Sequence, residues 1–304
     1  MNGILDDLKN TFSRRNNALW QIIVVNILVF VFLNLLHVFL FLGMGQLASD
    51  RLFDYLTSFI TLPVAFRDLI YRPWSFITYF FSHVGFMHIL GNMLFLYWFG
   101  KVIEEYLGSK RVVSLYVLGG LFGGLAFMLF FPLLPDFSGR GSLIGASAGV
   151  SAMVVGAATL MPNYIFHLFL IGPVPIKYIA LFQVLFFVFG LRGMNPGGEI
   201  AHLGGALMGY LFIMQLKKGN DWGAWIHALP NLFKRKPKMK ASYVNKAKVT
   251  VNTAYNTGSN RSSTSDMPDQ DEIDAILDKI SASGYESLSK EEKQKLFKAS
   301  GKTN

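Results

Sequence analysis

Cysteine is absent from the 304 residues. That excludes disulfides, thiolate nucleophiles and cysteine-bound metals together, and it leaves the redox state of the compartment without a signature. Charge is scarce as well: 15% of residues are charged against 52% hydrophobic, with 28 Phe, a balance foreign to a water-soluble domain. No Asp or Glu falls deep inside an apolar stretch; Glu199 stands at the mouth of the last one, and Glu104 and Glu105 close the second. An aspartyl protease and most proton-coupled transporters need a carboxylate at such depth, so both are disfavoured. No HExxH motif is present and no acidic ligand lies near the histidines, so neither metal nor cofactor is expected.

What is present is apolar length. About 20 such residues cross a bilayer core, and windows at 18–43, 84–102, 111–133, 144–161, 177–192 and 200–216 predict an all-α bundle of six transmembrane helices. The fifth is the least secure, because Gly172, Pro173 and Pro175 interrupt the run that leads to it. The first is too long for a signal-peptide core and no cleavage site follows it, so it reads as a permanent helix.

The net charge of +9 is concentrated after the last window, where nine Lys/Arg face only Asp221 between Lys217 and Thr250. Such a run next to a membrane helix is drawn to an anionic inner leaflet, which argues against nucleic acid as the partner. Six spans put both termini on one side. Lys9, Arg14, Arg15, Lys101, Lys110, Arg111 and the basic run make that side cytoplasmic, although Arg51, Arg67, Arg72, Arg140 and Arg192 fall on the other; the expected location is a bacterial inner membrane.

Four segments follow: a cytoplasmic N-terminus at 1–17, a membrane domain at 18–217, an interfacial helix with a basic linker at 218–268, and a helical hairpin at 269–304. Within the membrane domain, 44–80 mixes apolar residues with charges and prolines and reads as a loop lying in the interface, with Arg72 and Trp74 as anchors. Trp222 and Trp225 mark the surface helix. In the hairpin, Ile273, Ile276, Leu277 and Ile280 share one helical face, Gly284 ends that helix, and Ser289 with Glu292 forms a capping box for a second helix carrying Leu296 and Phe297.

Polar side chains inside spans are functional candidates. They are His83, His88 and Asn92 in the second span, Ser147 and Ser151 in the fourth, and His202 in the sixth, with His37 and Gln183. If the first helix runs outward, the even-numbered helices all start at the outer face, so Ser147, His202, His88 and Asn92 share one depth. Gly205 and Gly209, and likewise Gly145 and Gly149, form small-xxx-small pairs suited to close helix approach. Such an approach would let His202 take the Ser147 proton near neutral pH, while the Asn92 amide could donate to a developing oxyanion without adding charge. Each motif alone also has a plain structural reading, since serines back-bond to the preceding turn and histidines tie helices together.

The combination of HVGFMHILGN at 83–92, GASAGV at 145–150 and AHLGGALMG at 201–209 closely resembles the rhomboid family of intramembrane serine proteases, over residues 18–217. The resemblance implies a six-helix core with a water-filled cavity open to the outside, which cleaves single-pass transmembrane proteins near their extracytoplasmic end. Ser147 would be the nucleophile and His202 the base, with His88, Asn92 and the Ser147 N–H stabilising the oxyanion. His83, Gly145, Gly149, Ser151, Gly205 and Gly209 would support them. Residues 44–80 would be the family's embedded first loop, and Glu104 its acidic stabilising element. Two departures stand out: Ala148 occupies a place often held by glycine, and Ser151 a place often held by an aromatic that stacks on the histidine. Ser151 would then be available to hydrogen-bond His202 instead. The competing reading is a catalytically inactive rhomboid-like protein that binds transmembrane helices.

Overall fold

A computed structural model describes residues 17–135, 141–168, 171–232, 270–283 and 287–300. It divides into two units, 1–237 and 238–304. Lys9, Arg14, Arg15, Arg140, Gly284, the 241–268 linker and most of the basic run lie outside the described residues.

The first unit is helical with two short two-stranded sheets. Helix α1 spans Ala18–Met44, followed by α2 (Gln46–Thr57), strand β1 (Leu62–Pro63), α3 (Phe66–Tyr71) and α4 (Ser75–Thr78). Then come α5 (Phe86–Leu107), α6 (Ser109–Phe130), β2 (Ser142–Leu143), α7 (Ser147–Leu160), β3 (Ile165–Leu168), β4 (Gly172–Pro175), α8 (Ile176–Gly190), α9 (Pro196–Lys217) and α10 (Ala224–Leu232). Each of the six apolar windows therefore contains a helix. Four of these, α1, α5, α6 and α9, are long and apolar enough to cross a membrane. The other two are shorter, α7 with 14 residues and α8 with 15. At 1.5 Å per residue α7 is only about 21 Å long, less than the roughly 30 Å of a hydrocarbon core. Strand β2 leads directly into α7. The residues that made the fifth window insecure, Gly172, Pro173 and Pro175, form β4, which pairs antiparallel with β3.

The core is a three-way junction of α6, α7 and α9 held by small residues. A Cβ at Gly205 would collide with the Ala148 carbonyl oxygen, and one at Gly209 with that of Ala152. Gly123 of α6 has Ala148 Cβ and the Ala201 carbonyl against it. Helices α7 and α9 therefore run parallel with their N-termini at one end; at the other, Lys217 Nζ donates to the Thr159 carbonyl over 2.7 Å. The expected Gly145–Gly149 face is corrected here. Gly145 backs onto the His88 ring and Gly149 onto Tyr116, so Ala148 and Ala152 make the face that meets α9.

The 44–80 loop is structured and pinned by its own carbonyls. Arg72 donates to the Ser58 carbonyl, and Trp74 Nε1 to that of Phe59 at 2.8 Å. His37 belongs to this region too. It pairs with Asp50 at 2.9 Å and stacks on Phe53 at 4.2 Å, fastening α2 to α1. Strand β1 pairs with β2 (Leu62 with Leu143), so the loop is tied to the turn that introduces α7. At the α5–α6 turn, Ser109 donates to Glu104 at 2.7 Å. Helix α10 docks beside that turn through His227 with Ser114 (2.8 Å) and Arg111 with Asp221 (3.1 Å).

The second unit contains α11 (Gln270–Ser283) and α12 (Lys290–Ser300). The capping box forms, with Ser289 N donating to Glu292 at 2.7 Å and Glu292 N to Ser289 Oγ at 3.2 Å. Ile276 and Leu288 are buried between the helices, but Leu277 is 48% exposed and does not join the expected face.

Candidate active site

Ser147 is the first residue of α7, and the first N–H groups of a helix have no partner within it. The turn that delivers it depends on Gly145, whose φ of +123° and contact with the His88 ring exclude a side chain. Gly145 N donates to the Tyr79 carbonyl at 2.9 Å, and Ala146 N to His83 Nε2 at 3.2 Å. His83, wholly buried, thus holds the backbone one residue before Ser147.

The α7–α9 approach brings Ser147 Oγ to 2.7 Å from His202 Nε2. On its other side, His202 Nδ1 lies 3.1 Å from Glu199 Oε2, one helical turn earlier. A carboxylate only accepts, so Nδ1 carries the proton, and Nε2 is left to accept from the serine hydroxyl. The Phe187 ring of α8 packs on the imidazole, with centroids 4.5 Å apart. Ser151 does not take the role foreseen for it: its hydroxyl donates back to the Ser147 carbonyl at 2.8 Å. The aromatic missing after the serine is supplied by α8 instead.

Ser147 and His202 line a cleft of about 280 Å³ together with His88, Asn92, Gln183 and Phe187. His88 is exposed to it. Asn92 is buried, and its amide nitrogen is engaged by the His88 carbonyl at 3.0 Å and by His83 Nε2 at 3.1 Å. Two atoms on this side, His83 Nδ1 and Gln183 Oε1, are buried without a hydrogen-bond partner. Glu104 belongs to the distant α5–α6 turn and does not enter the cleft.

Sequence reasoning missed Phe187 and the reach of Glu199. Nothing in one dimension links Phe187 to His202. Glu199 and His202 are three apart on one helix, a spacing that was a usable signal.

Residues 71–218 match the Rhomboid domain family, and residues 266–302 match a family of unknown function (DUF6576). The chain is 28% identical over 160 residues to RHOMBOID-like protein 12, mitochondrial, of Arabidopsis thaliana, covering 49% of this chain and 48% of that protein. It is 30% identical over 155 residues to Rhomboid protein 1, mitochondrial, of Saccharomyces cerevisiae, covering 50% and 44%. It is 28% identical over 141 residues to Rhomboid protease GlpG of Serratia proteamaculans, covering 45% and 46%. The chain spans about half the length of the curated relatives it matches.

Proposed function

We propose, from the match of residues 71–218 to the Rhomboid domain family and the likeness to Rhomboid protease GlpG, that the chain is an intramembrane serine endopeptidase that cleaves single-pass transmembrane proteins near their outer end. The observation that carries this reading is the 2.7 Å contact between Ser147 Oγ and His202 Nε2 at a cleft-lining helix N-terminus. A serine hydroxyl is a weak nucleophile until a base removes its proton, and an imidazole at that distance is such a base. Ser147 Oγ attacks the scissile carbonyl, and His202 takes its proton. The oxyanion forms beside the Ser147 N–H and the His88 ring, with Asn92 joining when its amide exchanges the His83 contact for the substrate oxygen. His202 then protonates the leaving amine, and water from the cleft hydrolyses the acyl-enzyme.

Orientation is part of the proposal. Six spans with both termini in the cytoplasm agree with the parallel α7–α9 pair, whose cleft end is opposite the end carrying Lys217. The basic run would then lie on an anionic inner leaflet. The bacterial inner membrane expected from sequence is not supported, since the similar proteins include two mitochondrial ones; what stands is a chain with helices long and apolar enough to cross a membrane.

The test is cleavage of a membrane-spanning reporter by Ser147→Ala and His202→Ala proteins that remain folded. Both should lose activity; retained cleavage in either sinks the proposal. A second reading, an inactive helix-binding relative, is favoured by the engaged Asn92 amide. Under that reading the wild-type chain binds the reporter and leaves it intact.

A further inference from the structure

We propose that Glu199 is a positioning residue for the Ser147–His202 dyad, acting through the histidine. This rests on the protease reading above. Three observations carry it. First, Glu199 Oε2 lies 3.1 Å from His202 Nδ1, and the two side chains are 15% and 17% exposed. The pair is thus largely withdrawn from solvent, and its geometry is not that of a loose surface contact. Second, the carboxyl group has a prepared seat. A Cβ at Gly190, the last residue of α8, would lie 2.9 Å from the Glu199 carboxyl carbon, so the glycine leaves room for it between α8 and α9. Third, Glu199 stands in the first turn of α9, a position that suits an acidic side chain.

Together these assign Glu199 two tasks. It fixes the tautomer, because Nδ1–H must donate to it and Nε2 is then always free to accept. It also stabilises the imidazolium that forms during attack. In that step the Ser147 O–H bond breaks, a new bond joins Oγ to the carbonyl carbon, the proton passes to His202 Nε2, and the carbonyl electron pair becomes the oxyanion. Glu199 stays ionised throughout and takes no proton. When the intermediate collapses, the C–N bond breaks and the same proton moves to the leaving amine. Phe187, its ring tilted 44° to the imidazole, and Glu199, at Nδ1, thus restrain the ring together. The charged or titratable groups facing His202 are Glu199 on its own helix and His88 across the cleft.

The test compares wild type, Glu199→Gln, Glu199→Asp and Gly190→Ala in proteoliposomes by cleavage of a transmembrane reporter, with kcat and KM separated. Glu199→Gln should lower kcat by about ten- to a hundredfold with KM little changed. Glu199→Asp keeps a carboxylate beside the ring and should recover part of the kcat that Glu199→Gln loses. Gly190→Ala, which crowds the carboxyl group without touching the histidine, should lower kcat in the same direction with KM little changed. A role confined to helix stability would lower the melting temperature and leave the kcat of the folded protein in place, which overturns the proposal, as would a Glu199→Asp protein no better than Glu199→Gln. A wild-type protein that neither cleaves the reporter nor takes a fluorophosphonate on Ser147 overturns the protease reading itself, and the role of Glu199 with it.

Discussion

The two walls of the cleft are built differently. On the α7–α9 wall the side chains are paired: Ser147 with His202, His202 with Glu199, and Ser151 with its own helix. On the facing wall the Asn92 amide and the Ala146 N–H both address the one acceptor nitrogen of His83, while His83 Nδ1 and Gln183 Oε1 have no protein hydrogen-bond partner among the described residues. The contrast assigns the walls different states at rest. The Ser147 and His202 side chains already meet, whereas under the protease reading the Asn92 amide must exchange its His83 contact for the substrate oxygen before it joins the Ser147 N–H and the His88 ring.

The largest effect should come from the finished wall. Removing either Ser147 or His202 should lower kcat by at least about 10⁴-fold, with the double variant little worse, because the two act as one unit. The packing beneath them comes next. Gly205→Val inserts a side chain where the Ala148 carbonyl already sits and should destabilise by about 1–3 kcal/mol or more. Both the thermal midpoint and Ser147 labelling should fall, and labelling that survives would show that the α7–α9 approach is not what aligns the pair.

On the unfinished wall, Asn92→Ala should cost about a hundredfold in kcat while leaving Ser147 free to react with a small probe that makes little use of the oxyanion site. Equal losses for reporter and probe would erase the distinction between the walls. The smallest effect belongs to Phe187→Ala, about tenfold in kcat, since the Glu199 contact still restrains the ring. A loss as large as that of His202→Ala would make the aromatic, and not the carboxylate, the main restraint on the imidazole.

Much of this was visible in the sequence, for reasons that also explain the errors. The six apolar windows each hold a helix, and four of these are long and apolar enough to cross a membrane, where backbone groups must bond within the segment. The convergence of Ser147 and His202 was legible from matching depth and from Gly205 and Gly209, whose missing side chains have no other evident purpose. The partner face was misread because glycine has more than one use. Gly145 serves a left-handed turn and Gly149 makes room for Tyr116, so the packing surface fell to Ala148 and Ala152. Ala148, read as a departure, is the residue that Gly205 and Gly123 are shaped around. Phe187 could not be foreseen, since its contact depends on how α8 leans on α9. Glu199 could have been, because i,i+3 spacing on a helix needs no tertiary information; its position at the end of a hydrophobic window disguised it as a boundary residue.

The central claim is that Ser147 is activated by His202 in the resting protein. Its most direct measurement is the rate of fluorophosphonate attachment to Ser147 in membranes, site-identified by mass spectrometry, in wild type and in a His202→Ala protein of matched thermal stability. The account predicts labelling at Ser147 in wild type and a loss of at least about 10³-fold without the histidine. Equal rates in the two proteins, or no labelling of wild type, would contradict it.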